Sequence, residues 1–309
     1  MKKSDKIQKD DVPYIIKVRS RGEKVLYTFV CIFFSLYALS LLYPIFFLGS
    51  GSLQSQGEYI DNLIMGDNPF AIPKSLHFEN YKEAMESMYI ANSVGRFIYL
   101  PEMFFNSFWY CIVSVAAGLI ANSCTAYVLS KYKFKGKDAI YSLFILIMTL
   151  PITGTAGAAF KLISELGLYN NPLKAVIENL GGYGFNFLVL YAAFKSVSWS
   201  YAEAVFIDGG GHFTAFFKIM LPQVSGALIT LGILGFIGHW NIDTPILLYL
   251  PDYPTVAAGL YKVKRSMGRS GNVPAYYAGL MVTVFPVVAL YAIYAGKITK
   301  NMSVGGLKG

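Results

Sequence analysis

Charge is what this sequence has least of. Asp, Glu, Lys and Arg make up 14% of its 309 residues against 55% hydrophobic residues, and the mean hydropathy is +0.47. A soluble domain carries about a quarter of its residues charged, so the composition is that of a membrane protein. Cysteine is nearly absent too. Cys31, Cys111 and Cys124 each sit inside an apolar stretch, which leaves no disulfide framework and no metal-ligand spacing; they read as free thiols behaving as small hydrophobes. The three histidines, His77, His212 and His239, are far apart with no cysteine beside them, so a zinc site is not expected. No G-x-x-x-x-G-K-[ST] run occurs: Gly136-Lys137-Asp138 lacks both the hydroxyl residue and the upstream glycine, and phosphate binding by such a loop is excluded. Paired carboxylates, a Ser-His-Asp set and an activated thiol are likewise missing, so catalysis is not expected. The net charge of +8 is carried by Lys and Arg clustered beside apolar runs. That pattern sets membrane topology and does not make a nucleic-acid face.

What is there is a series of apolar runs near the ~20 residues that cross a bilayer. They predict an all-α polytopic membrane protein with six transmembrane helices, over 25–48, 102–130, 139–160, 183–197, 223–250 and 275–296, and with both termini cytoplasmic. The layout is a cytoplasmic N-terminal segment 1–24, a first transmembrane helix 25–48, an extracytoplasmic loop 49–101, a five-helix core 102–296 with a cytoplasmic loop 198–222, and a cytoplasmic tail 297–309. The first run lacks a short h-region and a small-residue cleavage site, so it reads as an uncleaved span. Within 49–101 a surface helix is expected over 78–85. Residues 161–182 and 251–274 are expected as outer loops. Counting Lys195 at the inner end of span four, seventeen Lys and Arg fall on the proposed inner side against nine outside, as the positive-inside rule requires. The loop holding Lys262, Lys264, Arg265 and Arg269 runs against the rule.

The most informative stretch is the polar interruption 198–222. Ser200-Tyr201-Ala202-Glu203 has the spacing of a capping box, in which hydroxyl and carboxylate satisfy each other's free backbone N–H groups and start a helix. Gly209, Gly210 and Gly211 stop that helix. Phe213, Phe216, Phe217 and Met220 then follow at the spacing of one apolar helix face, and Pro222 restarts the chain at the head of the next span.

This helix-glycine-helix loop resembles the EAA loop of ABC importer permeases, matching at Glu203, Ala204, Asp208, Gly209, Ile219, Leu221 and Pro222. Val205 stands where a second Ala is common, and Gly210 where the usual run is Asp-Gly-Ala. Further stretches are similar to the maltose-type, carbohydrate-uptake branch and occur in its order: Asn106-Ser107, Ala126-Tyr127, the basic 131–137 run, Gly167-Leu168-Tyr169-Asn170, Trp240-Asn241, 255–260 and the ending Gly305-Gly306-Leu307-Lys308-Gly309. The resemblance implies a type I ABC importer permease in a prokaryotic cytoplasmic membrane, forming half of the pathway for a carbohydrate such as an oligosaccharide. Its implied partners are a second homologous permease subunit in a heterodimer, two ATPase subunits, an extracytoplasmic solute-binding protein and the lipid bilayer. ATP and Mg belong to the ATPase, with no cofactor on this chain. The seven matching residues would couple to that ATPase. The alternatives are an ion-driven secondary carrier, to which six spans with one elaborate inner loop are poorly suited, and a non-transporting scaffold that recruits an ATPase.

Span five carries Trp240, Asn241 and Asp243 in apolar surroundings. A carboxylate at mid-span costs about 2.5–3.5 kcal/mol on insertion scales, so it should face water or a partner helix. Two readings stand together here. The three residues line a sugar path, indole against C–H faces and polar groups against hydroxyls, or they join span five to its neighbours.

Overall fold

The computed structural model describes residues 21–304, except 67, 69, 151–153, 155 and 268–270. The basic residues 1–20, Arg269 and the ending 305–309 lie outside the described residues. The chain divides into two units, Met1–Phe47 and Leu48–Gly309.

The described residues of the first unit form one helix, α1 (Arg21–Gly51), whose last turn belongs to the second unit. No glycine interrupts it between Gly22 and Gly49, and its Phe, Leu, Ile and Val side chains are exposed on every side within the unit. A helix apolar all round needs an apolar solvent. Together with Leu100–Lys131 and Val273–Gly296 it is long and apolar enough to cross a membrane.

The second unit opens with residues expected as an outer loop, which instead fold. They form α2 (Gln56–Met65), α3 (Glu79–Ser87) and an antiparallel hairpin, β1 (Tyr89–Ala91) with β2 (Phe97–Tyr99), in which Ile90 faces Ile98. The helix expected over 78–85 is α3. Asn80, buried, donates from Nδ2 to the carbonyls of Ser52 at 2.9 Å and Gln54 at 2.7 Å. Ile90 and Ile98 enter a core with Met88, Met103, Leu260 and Tyr276.

β2 runs directly into α4 (Leu100–Lys131), the helix on which the rest is assembled. After it come α5 (Lys137–Thr149), α6 (Ala156–Glu165), α7 (Lys174–Ile177), α8 (Phe185–Ser196), α9 (Ser200–Ile207), α10 (His212–Gln223), α11 (Ser225–Trp240), α12 (Thr244–Tyr249), α13 (Val256–Ser266) and α14 (Val273–Val304).

Three of the expected spans are not single helices. Span three divides into α5 and α6, with Gly154 at φ +78° in the break and part of the break outside the described residues. Span four keeps only the 12 residues of α8, about 18 Å at the α-helical rise, where a bilayer needs about 30 Å. The stretch before it, expected outside, runs along the middle of α4: a Cβ on Gly118 would lie 3.8 Å from that of Asn179, and one on Gly182 only 2.6 Å from Thr125 Oγ1. The first helix of span five ends at Trp240, and Asn241 to Asp243 form an unwound turn before Pro245. Asp243 caps α12 by accepting from Thr244 N–H.

Stretches far apart in sequence close on one another. Asn106 Nδ2 donates to the Pro254 carbonyl at 3.1 Å, and Val256 N–H donates to Ser107 Oγ at 2.8 Å. Asn170 N–H donates to the Tyr249 carbonyl at 2.8 Å, and its side chain exchanges hydrogen bonds with Asp252. These bonds place α13 and the 167–170 turn against the start of α4 and the end of α12.

Candidate functional site

The 198–222 stretch forms an elbow. α9 begins at Ser200, but the capping box does not form: Trp199 occupies the cap without a side-chain bond, Glu203 N–H donates to the Trp199 carbonyl, and Ser200 N–H turns to Ser198 Oγ at 3.3 Å. The helix starts one residue earlier than the capping box requires, so the Trp199 carbonyl takes the Glu203 N–H in place of the Ser200 hydroxyl. The glycine stop is as expected, in a definite form. Gly209 N–H donates to the Phe206 carbonyl at 3.1 Å and Gly210 N–H to the Val205 carbonyl at 2.8 Å, with Gly209 at φ +79°. That pair of bonds is a Schellman motif, which satisfies the last carbonyls of α9 and reverses the chain.

The two departures from the family pattern meet at this turn. A Cβ on residue 210 would lie 2.5 Å from Val205 Cγ1 and 3.0 Å from the Val205 carbonyl oxygen. Val205 fills the space that a smaller residue at 205 would leave for a methyl at 210.

The return limb, α10, is not the regular amphipathic helix its phenylalanines predict. Ala215–Met220 is π-helical, and its wider turn shifts the side chains out of the 3.6-residue register. Phe216 and Met220 are buried, whereas Phe213 is 81% and Phe217 52% exposed. Pro222 follows after Leu221, with no N–H to continue the ladder. α10 and α11 then meet at 75° around Val224. Ile219 and Leu221 are half-buried and Pro222 is exposed, all at the foot of the elbow. Glu203, Ala204, Asp208 and Gly209 are exposed toward its tip.

An aromatic brace, missed in the sequence, holds the elbow. Tyr132 packs edge-on to Trp199 with centroids 5.5 Å apart, Trp199 meets Phe206 at 6.1 Å and Phe206 meets His212 at 4.9 Å. Tyr132 hydroxyl and His212 Nδ1 share a hydrogen bond of 2.8 Å. Beneath it Tyr127 and Phe194 close on Phe216, with Ala202 and Ala215 fully buried between the limbs. Lys131 Nζ donates to the Val197 carbonyl, capping the C-terminal end of α8. The signal was present: Trp199 and Phe206 are seven residues apart on one helical face. The basic-aromatic 131–137 run supplies Tyr132. The two limbs are therefore fixed to α4 and α8, while Ile207, 85% exposed, and Phe213 stand out at the tip.

Residues 114–302, more than half of the chain, match the family described as "Binding-protein-dependent transport system inner membrane component". The chain belongs to this family. Among the relatives of this permease are the diacetylchitobiose uptake system permease protein NgcG of Streptomyces coelicolor, 26% identical over 87% of this chain and 85% of its own length. The arabinooligosaccharides transport system permease protein AraQ of Halalkalibacterium halodurans is 26% identical over 94% of this chain and 100% of its own. In fold the permease is similar to a chain of a bacterial ABC transporter involved in import of the acidic polysaccharide alginate, with a TM-score of 0.74, 21% identity and coverage of 90% of this chain and 98% of that one.

Trp240, Asn241 and Asp243 are placed differently in the permease. Trp240 is buried, donates from its indole N–H to the Thr283 carbonyl at 3.2 Å, and packs on Phe104, Phe108 and Phe236. Its placement is that of a residue joining α11 to α4 and α14. Asn241 is exposed and donates to the Ile237 carbonyl at 2.8 Å, and Asp243, half-buried, caps α12. No group of three or more His, Cys, Asp or Glu that could hold a metal ion occurs among the described residues.

Proposed function

We propose that this permease forms half of the pathway for an oligosaccharide and is driven by a separate ATPase through the 198–222 elbow. The observation that carries the reading is the tip itself. Ile207 and Phe213 project into solvent from limbs clamped by aromatic packing, and an exposed apolar pair on a rigid mount suits a protein-docking pocket. The oligosaccharide comes from the relatives named for chitobiose and arabinooligosaccharide uptake.

In this reading six crossings leave both termini in the cytoplasm. α1, α4 and α14 cross as single helices; α5 with α6, residues 171–182 with α8, and α11 with α12 cross in pieces. Broken spans suit a transporter, because irregular backbone at membrane depth is tolerated where it is buried in protein or lines a cavity. Two ATPase subunits bind ATP and Mg, a second homologous permease completes the pathway, and an extracytoplasmic binding protein delivers solute to the face built from 49–101 and α13. ATP closes the ATPase dimer, the elbow moves with its pocket, and the two half-pathways alternate their access. Asn241 and Asp243 stand at the path with Trp240 behind them.

The test is uptake by the purified complex in vesicles, using neutral oligosaccharides. Uptake that requires ATP and survives collapse of the membrane potential excludes an ion-driven carrier, and any ATP-driven uptake excludes a scaffold. Absence of uptake with every saccharide tried, from a complex that hydrolyses ATP, defeats the proposal.

A further inference from the structure

The segment 171–182 carries a charged pair whose cation is buried and whose anion, next to Asn179, stands beside the middle of α4. Lys174 and Glu178, one turn apart, are ion-paired. The Lys174 side chain is only 2% exposed, with its ammonium 4.7 Å over the Tyr249 ring, while Glu178 remains 47% exposed. Depth follows from the neighbours. Asn179 lies against Gly118, about 27 Å of helix from the start of α4 and about 20 Å from its end at 1.5 Å per residue. Leu173, Ile177 and Leu180 lie on a separate face and are exposed. An ionisable group at this depth faces the bundle interior or a water-filled cavity, not lipid.

The polarity of the pair is unequal in its consequences. The cation is enclosed by Tyr249 and its own carboxylate partner, and the anion is what reaches solvent. One Glu178 oxygen meets Lys174, and the other has no partner among the described residues. Nearby, His239 stands edge-on to Tyr110 at 5.7 Å with its buried Nδ1 lacking a hydrogen-bond partner among the described residues, and it is within electrostatic reach of both Lys174 and Glu178. The short helical stretch thus presents a carboxylate acceptor beside unfilled hydrogen-bonding capacity.

The geometry points to Glu178 as a lining residue of the water-filled path, accepting hydroxyls of a neutral saccharide and disfavouring carboxylated ones. It rests on the transport reading above and adds the substrate's charge class to it. A carboxylate accepts a hydroxyl through a charge-assisted bond, whereas a second carboxylate brought near it in low dielectric is repelled.

Two measurements on the complete reconstituted complex test it. In a background lacking Cys31, Cys111 and Cys124, Glu178→Cys is exposed to a charged, water-soluble methanethiosulfonate. Reaction is expected, with a rate that changes at least about fivefold when ATP and vanadate trap the complex; no reaction in any state would overturn the proposal by placing residue 178 in a sealed interface. Because Glu178→Gln alone strands a buried cation, uptake is compared in the double variant Lys174→Met/Glu178→Gln, using a neutral trisaccharide and a uronate trisaccharide. The uronate-to-neutral ratio should rise about tenfold; an unchanged ratio would overturn the selectivity. A wild-type complex that takes up no saccharide while residue 178 still reacts would instead defeat the transported-sugar reading, and the saccharide assignment of Glu178 with it.

Discussion

Replacing Gly210 by Ala is the sharpest probe of the elbow, because its cost can be worked from one contact. The added Cβ would stand 2.5 Å from Val205 Cγ1 and 3.0 Å from the Val205 carbonyl, well inside van der Waals contact. Overpacking of this kind costs about 1–3 kcal/mol. If that strain unseats the tip, docking of the separate ATPase should weaken by about 5- to 150-fold. Val205→Ala removes the offending methyls and forfeits about 1 kcal/mol of half-buried surface. The double variant should therefore dock nearly as well as Val205→Ala alone, with a coupling energy of at least about 1 kcal/mol in a double-mutant cycle. The assay is titration of ATPase onto the reconstituted permease, read as stimulated ATP hydrolysis. Additive losses in the double variant would refute the account of residues 205 and 210 as a matched pair.

Gly209→Pro removes the N–H donated to Phe206 and requires φ near −65° where the chain holds +79°; normal expression with ATP hydrolysis uncoupled from uptake is expected, and full coupled transport would contradict it. Trp240→Phe should lower the thermal midpoint through loss of the bond to Thr283, worth about 1–2 kcal/mol, while uptake persists; abolished uptake in a stable protein would place the indole on the path instead. Asp252 is held below its ordinary value of 3.8 chiefly by the Ser93 hydroxyl, with Asn170 adding to it. The folded pKa lies below the unfolded one, so the stabilisation is complete above about pH 4 and is lost as pH falls through the depressed folded value. Proteolysis of the 89–99 hairpin should accelerate below pH 4 in the wild type, and Asp252→Asn should show that acid step no longer; an unchanged step would exclude this carboxylate.

The elbow was largely legible because its signals are local: three glycines, a carboxylate in the first turn and a proline at the foot. Its details were not. A one-residue shift in the helix start gave the Glu203 N–H to the Trp199 carbonyl in place of the Ser200 hydroxyl, and the π-helical turn moved Phe213 and Phe217 off the face that a 3.6-residue period assigns them. The cap from 49–101 escaped notice because strands of three residues carry too little alternation to read, and Asn80 satisfies carbonyls more than twenty residues away. Lys174 and Glu178 were hidden for the opposite reason. Their one-turn spacing is common on solvated helices, and only the fold brings Tyr249 over the ammonium and Gly118 beside Asn179. The pairing of Asn106-Ser107 with 254–256 explains why those stretches occur together, though each alone says little.

The central claim, that the elbow seats in a separate ATPase from the cytoplasmic side, is most directly tested by cross-linking. With Cys31, Cys111 and Cys124 replaced, Ile207→Cys should form a short cross-link to the ATPase subunit in the assembled complex, with a yield that changes on ATP binding. Modification of that residue in intact cells by a membrane-impermeant thiol reagent, with no cross-link to an ATPase, would contradict the account.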